Sequence, residues 1–352
     1  MRYVGCDVHL KNTKVAWLDL GTAEAPKPYN VPTKKLGEHL REMAATEELQ
    51  IALETSTTGY FVACLLRSLQ LDAIVVDAFK AKRLLEAFRQ GKTDALDAAG
   101  LAWLLCKGAL AGAAVWVPDA RIIELRELVR GREAAKQSTV RIRNQVRKQL
   151  NRHGESCPYS SLTGRKGRLH LDAVQARLPA GIALSLATYR ERLDDETEAA
   201  KTLSRAIATL IAPWPMVQLL RTIPGVGLVL AATIAAEIGD IARFASAANL
   251  RSYARLAPTV FQSGERSTTG PLNKHGNRLL SWALIEAAAH FSRSQKTRDS
   301  RPRKHYARVA ARRGPNPARV SLARHLATII FAMLRDSAPF ELRRLMPAAA
   351  PA

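Results

Sequence analysis

From Pro118 the sequence settles into one long helical pattern, roughly Asp119 to His153, with Ile123, Leu125, Leu128 and Val129 near helical spacing. A second pattern, TYRERLDDETEAAKTLSRAIATLIA, is expected to pack back against it as a helical hairpin closed by Pro213 and Pro215. These two segments divide the chain. Residues 1–117 form an α/β region, residues 118–212 a long helical coiled-coil arm, and residues 213–345 a mostly α C-terminal region ending before a low-complexity PAAAPA tail.

The first region alternates short β-branched runs with helical stretches. RYVGCDVH and KVAWLDLG read as strands joined by a polar turn at Lys11 and Asn12, followed by helix LGEHLREMAA and strand LQIALETS. Helix GYFVACLLRSLQ, strand DAIVVDAF and helix ALDAAGLAWLL come next. Antiparallel strands first and β/α alternation afterwards fit a ribonuclease-H-like sheet better than a dinucleotide-binding unit, and neither GxGxxG nor a Walker A motif occurs.

Charge separates the regions as clearly as pattern does. The 352 residues carry 53 Lys+Arg against 31 Asp+Glu, a formal charge of +22. Residues 1–117 hold 14 basic and 13 acidic side chains, so +21 of the excess lies beyond them. The chain therefore reads as a phosphate binder attached to a neutral domain, and nucleic acid is the expected partner. The basic side chains are not gathered on one short helix with an apolar face, no stretch approaches the roughly 20 apolar residues of a membrane span, and the first residues lack a signal-peptide core. A cytoplasmic, nucleoid-associated protein without a membrane partner is expected. Cys6, Cys64, Cys106 and Cys157 are widely spaced, which supports neither a disulfide framework nor a zinc knuckle, and each is read as a buried thiol.

Four acids stand apart. Asp7 interrupts an apolar strand and Glu54 ends another, where each needs a cation or hydrogen-bond donors to offset desolvation. Asp94 and Asp97 are three residues apart at a helix start, hence about 5 to 6 Å apart on one face. Taken singly, Asp94 is equally a first-turn acid, and Asp7 and Glu54 are equally satisfied by backbone or Arg. As a set they offer hard oxygen ligands for Mg²⁺ or Mn²⁺. Asp19, Asp72 and Asp77 are weaker candidates, Asp77 as a supporting residue.

GCDVHLKN, ALETSTTGYF and GKTDALDAAGLAWLL, in that order, resemble the DEDD transposases of bacterial insertion sequences, whose N-terminal domain is similar to the Holliday-junction resolvase (RuvC-like) fold. The resemblance implies that Asp7, Glu54, Asp94 and Asp97 bind a divalent metal. Thr55, Gly59 and Tyr60 match the segment after the glutamate, and Lys92 and Thr93 precede the paired aspartates as in the family.

In the C-terminal region, LLRTIPGVGLVLAATIAAEIGDIARF reads as helix, Pro-Gly turn and apolar helix. Its turn resembles a helix-hairpin-helix, with Gly225 and Gly227 presenting backbone N–H groups to a phosphate, although an ordinary αα turn has the same look. Ser263 and Gly264 lie in a polar loop, where a serine by itself is a turn residue. Arg221 to Leu284 resembles the family's C-terminal transposase domain, and there the serine before the glycine is the nucleophile, which matches Ser263. Arg255 stands where the family usually has glycine, and Leu280 where a basic residue is common.

The resemblance implies a DNA transposase or recombinase acting on donor and target DNA through a serine–DNA intermediate. It also implies a structured guide RNA and a homo-oligomer, dimer pairing to tetramer, with the arms making protomer contacts. Lys92, Arg141, Arg143, Arg147, Arg266, Lys274, Asn277 and Arg278 are the expected nucleic-acid contacts beside Gly225, Gly227 and Gly264, and His275 is a candidate proton acceptor. Ser292 to Arg324, with eleven Lys/Arg and one acid, reads as nonspecific phosphate-contacting chain outside any compact core. A structure-specific nuclease using metal-activated water and an inactive nucleic-acid-binding remnant are the alternatives.

Overall fold

The computed structural model describes residues 1–21, 27–88, 98–263 and 266–346. The chain divides into two compact units, Met1–Ala120 and Arg121–Ala352.

The first unit is built on a five-stranded mixed sheet. Its elements are β1 (Arg2–Val8), β2 (Asn12–Asp19), β3 (Tyr29–Pro32), α1 (Leu36–Thr46), β4 (Leu49–Glu54), α2 (Thr57–Ser68), β5 (Ala73–Val76), α3 (Ala78–Phe88) and α4 (Ala98–Cys106). The strand order is β3-β2-β1-β4-β5. β1 pairs antiparallel with β2 and β2 antiparallel with β3, whereas β1, β4 and β5 run parallel. Strands predicted from β-branched runs are all present; β3 and α3 are additions.

Alternation along the strands decides which residues meet which helices. Val4, Cys6, Val8, Ile51 and Leu53 pack with Leu36, Leu40, Val62 and Leu66 of α1 and α2. Tyr3, Ala52 and Val76 pack on the other face with Leu85 of α3 and Leu101, Leu104 and Leu105 of α4. Helix α4 is apolar all round because the fold surrounds it, and Ala98, Leu101, Ala102 and Leu104 have no exposed surface. It lies against β1 at Gly5, where a methyl group would stand 2.0 Å from the Ala98 carbonyl oxygen and 2.5 Å from the Ala102 nitrogen.

The second unit contains α5 (Ala120–Arg152), α6 (Arg165–Gln175), α7 (Ala180–Ile211), α8 (Pro215–Arg221), α9 (Leu228–Ile238), α10 (Ala247–Tyr253), β6 (Pro258–Ser263), β7 (Arg266–Leu272), α11 (Arg278–Arg293), α12 (Arg301–Arg313) and α13 (Pro315–Arg335). Helices α5 and α7 run antiparallel as the expected hairpin. Leu125 and Val129 share a core with Ile207 and Ile211 at one end, and Ile142, Val146 and Leu150 share another with Leu186 and Leu193 at the other. The buried residues of α7 include Leu186, Leu193, Ala200 and Ile207, a seven-residue repeat suited to a coiled-coil seam. Between the two cores, Arg132 donates to the Ser204 hydroxyl at 2.9 Å.

This unit differs from the sequence expectation in three places. Residues 165–167, assigned to a loop, begin helix α6, whose Leu171 and Val174 complete the distal core. The polar loop around Ser263 is an antiparallel β-hairpin. Ser292 to Arg324 is not outside the core: α12 and α13 are regular helices, and Ala318, Leu322 and Ala323 are fully buried against the C-terminal core. The cations occupy the faces that this packing leaves free. Of the cysteines, Cys6 is buried, and burial together with the charge of Asp7 pushes its thiol up to about 12. Cys64, Cys106 and Cys157 are only partly buried, contrary to expectation. Among the described residues no single helix is long and apolar enough to cross a membrane.

Candidate catalytic and nucleic-acid-binding residues

Parallel pairing brings the C-terminal ends of β1, β4 and β5 to one edge of the sheet. The last β1–β4 pair in register is Cys6 with Leu53, so Asp7 and Glu54 follow as neighbours on adjacent strands. By alternation both point to the face that carries α4. Burial pushes the Glu54 carboxyl above its usual range, the charge of Asp7 adds to this, and His9 opposes it. His9 Nε2 lies 3.3 Å from Asp7 Oδ2, with the Asp7 side chain 21% exposed.

The surrounding chain fixes this edge. Thr55 donates its N–H to the Val76 carbonyl at 2.9 Å, tying the end of β4 to the end of β5. Ser56 caps α2 by accepting the Gly59 N–H at 2.8 Å. A methyl group on Gly59 would stand 2.4 Å from the Glu54 carbonyl oxygen, so this turn needs the smallest residue. Asp77 caps α3, accepting the Lys80 N–H at 2.9 Å. Asp19 is ion-paired with Arg2 at the opposite end of the sheet.

Lys92, Thr93, Asp94 and Asp97 lie outside the described residues. Helix α4 nevertheless begins at Ala98, against Gly5 of β1, two residues before Asp7. Among the described residues no group of three or more His, Cys, Asp or Glu side chains is arranged to hold a metal ion. Asp7 and Glu54 supply two adjacent carboxylates, a donor set whose chemistry fits a hard divalent cation.

In the second unit, Ser263 is the last residue of β6 and stands in register with Arg266, the first of β7. The two positions between them, Gly264 and Glu265, lie outside the described residues. The neck of the hairpin is held at three levels. Asn273 donates its N–H to the Ala257 carbonyl at 3.0 Å, Arg255 Nε donates to the Gly276 carbonyl at 2.8 Å, and the Asn277 N–H donates to the Tyr253 carbonyl at 2.6 Å. Arg255 has φ +56°, which explains why glycine would suit its position. Gly276 has φ +122°, and a methyl group there would stand 2.5 Å from the Tyr253 carbonyl oxygen.

Arg143 is half-buried on α5, and the other expected contacts fall into two kinds. Lys274, His275, Arg278 and Arg141 are exposed, and Gly225 and Gly227 join α8 to α9, lining a groove of about 660 Å³ with Arg221 and Lys296. Arg147 and Asn277 are half-buried and bonded to other parts of the chain. Arg147 Nη2 donates to the Tyr159 and Ser160 carbonyls. The Asn277 Oδ1 caps α11 by accepting the Leu280 N–H at 2.9 Å, while its Nδ2 donates to Glu237 Oε2 at 2.6 Å and to the Tyr253 hydroxyl at 3.2 Å.

Glu237 was not among the expected residues. It lies in the last turn of α9, where the helix dipole disfavours a carboxylate, and none of it is exposed. Arg130 answers it with two hydrogen bonds and Arg126 stands 3.8 Å away. The signal was present: a lone acid in the apolar run LVLAATIAAEI demands a buried partner.

Residues 4–154 match a family model for DEDD transposases, described as "Transposase", and residues 217–306 match one described as "Transposase IS116/IS110/IS902 family". The protein y4qE of Sinorhizobium fredii is 32% identical over 248 residues, 70% of this chain and 59% of that protein. The 43.6 kDa protein of insertion element IS110 from Streptomyces coelicolor is 36% identical over 152 residues, 43% of this chain and 36% of its own length. The transposase for insertion sequence element IS1111A of Coxiella burnetii is 33% identical over 117 residues, 33% of this chain and 32% of its own length. The chain thus spans less than two thirds of each of these relatives. With one transposase model matching its N-terminal part and another its C-terminal part, the chain belongs to the DEDD transposase family of insertion sequences.

Proposed function

We propose that the protein is a DNA transposase that cuts and rejoins strands through a serine–DNA phosphodiester. The observation that carries the DNA-cutting part of this reading is the adjacency of Asp7 and Glu54 at the ends of neighbouring parallel strands, where burial and then the charge of Asp7 raise the Glu54 pKa; the serine part rests on the match of Ser263 to the family's nucleophile. The strand order β3-β2-β1-β4-β5, antiparallel on one side and parallel on the other, supports a ribonuclease-H-like domain around them. Asp7 and Glu54, with Asp94 and Asp97, would hold Mg²⁺ or Mn²⁺, which when bound neutralises charge on a phosphate and on a departing oxygen.

The chain's own residues would do the rest. Ser263 Oγ forms a bond to phosphorus as the bond from phosphorus to the 3′ oxygen breaks, leaving a phosphoserine and a 3′ hydroxyl. The serine proton goes to a base, for which His275 is the candidate, and the 3′ oxygen takes up a proton. Attack on the phosphoserine by a 3′ hydroxyl of another strand reverses the step and frees the serine, so strands are exchanged without external energy. Gly225, Gly227, Gly264, Lys92, Arg141, Arg143, Arg147, Arg266, Lys274, Asn277 and Arg278 are proposed to position nucleic acid. The ten basic residues between Arg121 and Arg152 suit α5 to grip a structured guide RNA, and the arms to work within a homo-oligomer.

Denaturing gels of cleaved DNA test the reading. Covalent protein on a DNA end should vanish in Ser263→Ala and persist in Ser267→Ala. Free ends made equally well by Ser263→Ala would instead support hydrolysis by a nuclease.

A further inference from the structure

We infer that Glu237 is a positioning residue for the serine hairpin, fixing the hairpin's neck to helix α5 of the arm. The inference deepens the serine reading and rests on it.

The connection is continuous. Arg130 of α5 donates Nε to Glu237 Oε1 at 2.9 Å and Nη2 to Glu237 Oε2 at 3.0 Å. The same Oε2 accepts Asn277 Nδ2, and Asn277 follows the second strand of the hairpin by five residues. Asn277 also reaches back to the first side of the neck, through its N–H to the Tyr253 carbonyl and through Nδ2 to the Tyr253 hydroxyl. Arg243 covers the Tyr253 ring, 4.4 Å from its centroid, and donates Nη2 to the Glu237 carbonyl at 3.1 Å. The second side of the neck therefore ends on the buried carboxylate through Asn277, the first side is tied to Asn277 itself, and the carboxylate is held by the arm.

Stability alone is a poor reason for this arrangement. A buried ion pair costs desolvation on both partners, and an apolar residue in the C-terminal turn of α9 would pack without that cost. What a hydrogen-bonded carboxylate adds is direction. It fixes the Asn277 amide, hence the start of α11 and the angle at which the hairpin leaves the body. A nucleophile must be held near its target within a fraction of an ångström, and a displacement of about 1 Å costs on the order of a hundredfold in rate.

The test is a polarity swap in the full chain. Asp caps helices as well as Asn does, so Asn277→Asp preserves the α11 cap but sets one carboxylate against another. Glu237→Gln combined with it restores a donor facing an acceptor with the roles reversed. Two readouts are followed: amide hydrogen exchange across residues 258–272, and single-turnover formation of covalent protein–DNA adduct.

The expected result for Asn277→Asp is exchange in the hairpin faster by about tenfold with α9 and α11 unchanged. Adduct formation, followed at saturating DNA so that affinity does not enter, is expected to slow by about tenfold to a hundredfold. The double variant returns both toward wild type. Glu237→Gln alone, which leaves the cap intact, is expected to loosen the same segment and serves if Asn277→Asp fails to fold. Hairpin exchange unaltered in the single variants, or a double variant no better than Asn277→Asp, would overturn the inference. Wild-type protein that forms no adduct would overturn the serine reading, while the exchange comparison still decides whether Glu237 holds the neck.

Discussion

Arg130 and Glu237, 107 residues apart, meet in a two-point ion pair although the carboxylate is wholly buried. Glu237→Ala would take from Arg130 its two-point acceptor and from Arg126 and Asn277 a neighbouring carboxylate, leaving Arg126 its bond to the Ala236 carbonyl and Asn277 its bond to the Tyr253 hydroxyl. Removing one member of a buried pair costs about 3 to 5 kcal/mol, and the lower end applies because half of the Arg130 side chain remains in water. Urea unfolding of the full chain should show a loss of about 3 kcal/mol. A change within a few tenths of a kcal/mol would mean that the pair contributes little.

The acidic edge makes a prediction about stability and pH. Burial and the charge of Asp7 raise the Glu54 pKa in the folded chain, with His9 opposing. A carboxyl that binds its proton more tightly when folded favours the folded state as pH falls through its raised pKa and disfavours it above. In EDTA, Glu54→Gln should therefore unfold at higher temperature than wild type near neutral pH, and the difference should shrink as the solution is acidified. Adding Mg²⁺ or Mn²⁺ should stabilise wild type more than the variant. Equal stabilisation of the two would argue against a cation at Glu54.

Close approach of β1 and α4 is what sets the face carrying Asp7 beside the start of α4. Gly5→Ala forces a methyl group against the backbone of Ala98 and Ala102, atoms that cannot turn aside. A cost of about 3 kcal/mol, at the upper end for overpacking, should appear in denaturant unfolding. Gly112→Ala, where the added methyl group meets nothing within 4 Å, should be near neutral.

How much of this was legible in the sequence depends on what each signal measures. Apolar spacing reports burial of one face, and it predicted β1, β2, β4, β5, α1, α2 and both arm helices. β3 escaped because it is four residues long at the sheet's edge, with little alternation to read. The serine hairpin escaped because Gly, Ser and Thr in PTVFQSGERSTTGPL look like a loop, though its two strands leave only two residues between them, a common hairpin length. The α12–α13 segment escaped because its dense cations obscure the spaced Ala and Leu residues that bury its inner face. Asp7 and Glu54 were named from their strand positions and do lie on neighbouring strands. Glu237 and Tyr253 went unnamed because a network formed across 107 residues leaves only a lone charge in an apolar run.

Arg255 tests the neck separately. At φ +56° a side chain costs about 1 kcal/mol that glycine does not pay. Arg255→Ala keeps that strain and loses the bond to the Gly276 carbonyl, whereas Arg255→Gly loses the bond and relieves the strain. The glycine variant should be more stable than the alanine variant by about 1 kcal/mol, the reverse of the usual order. Thermal unfolding of the pair measures this directly.

Mapping the covalent bond examines the reaction itself. Adduct formed by the wild-type protein on its DNA substrate would be digested with nuclease and protease and the peptides weighed. The account predicts a nucleotide attached through phosphate to Ser263 and no such peptide from Ser263→Ala. A nucleotide on another side chain, or cleaved DNA with no nucleotide-bearing peptide, would contradict it.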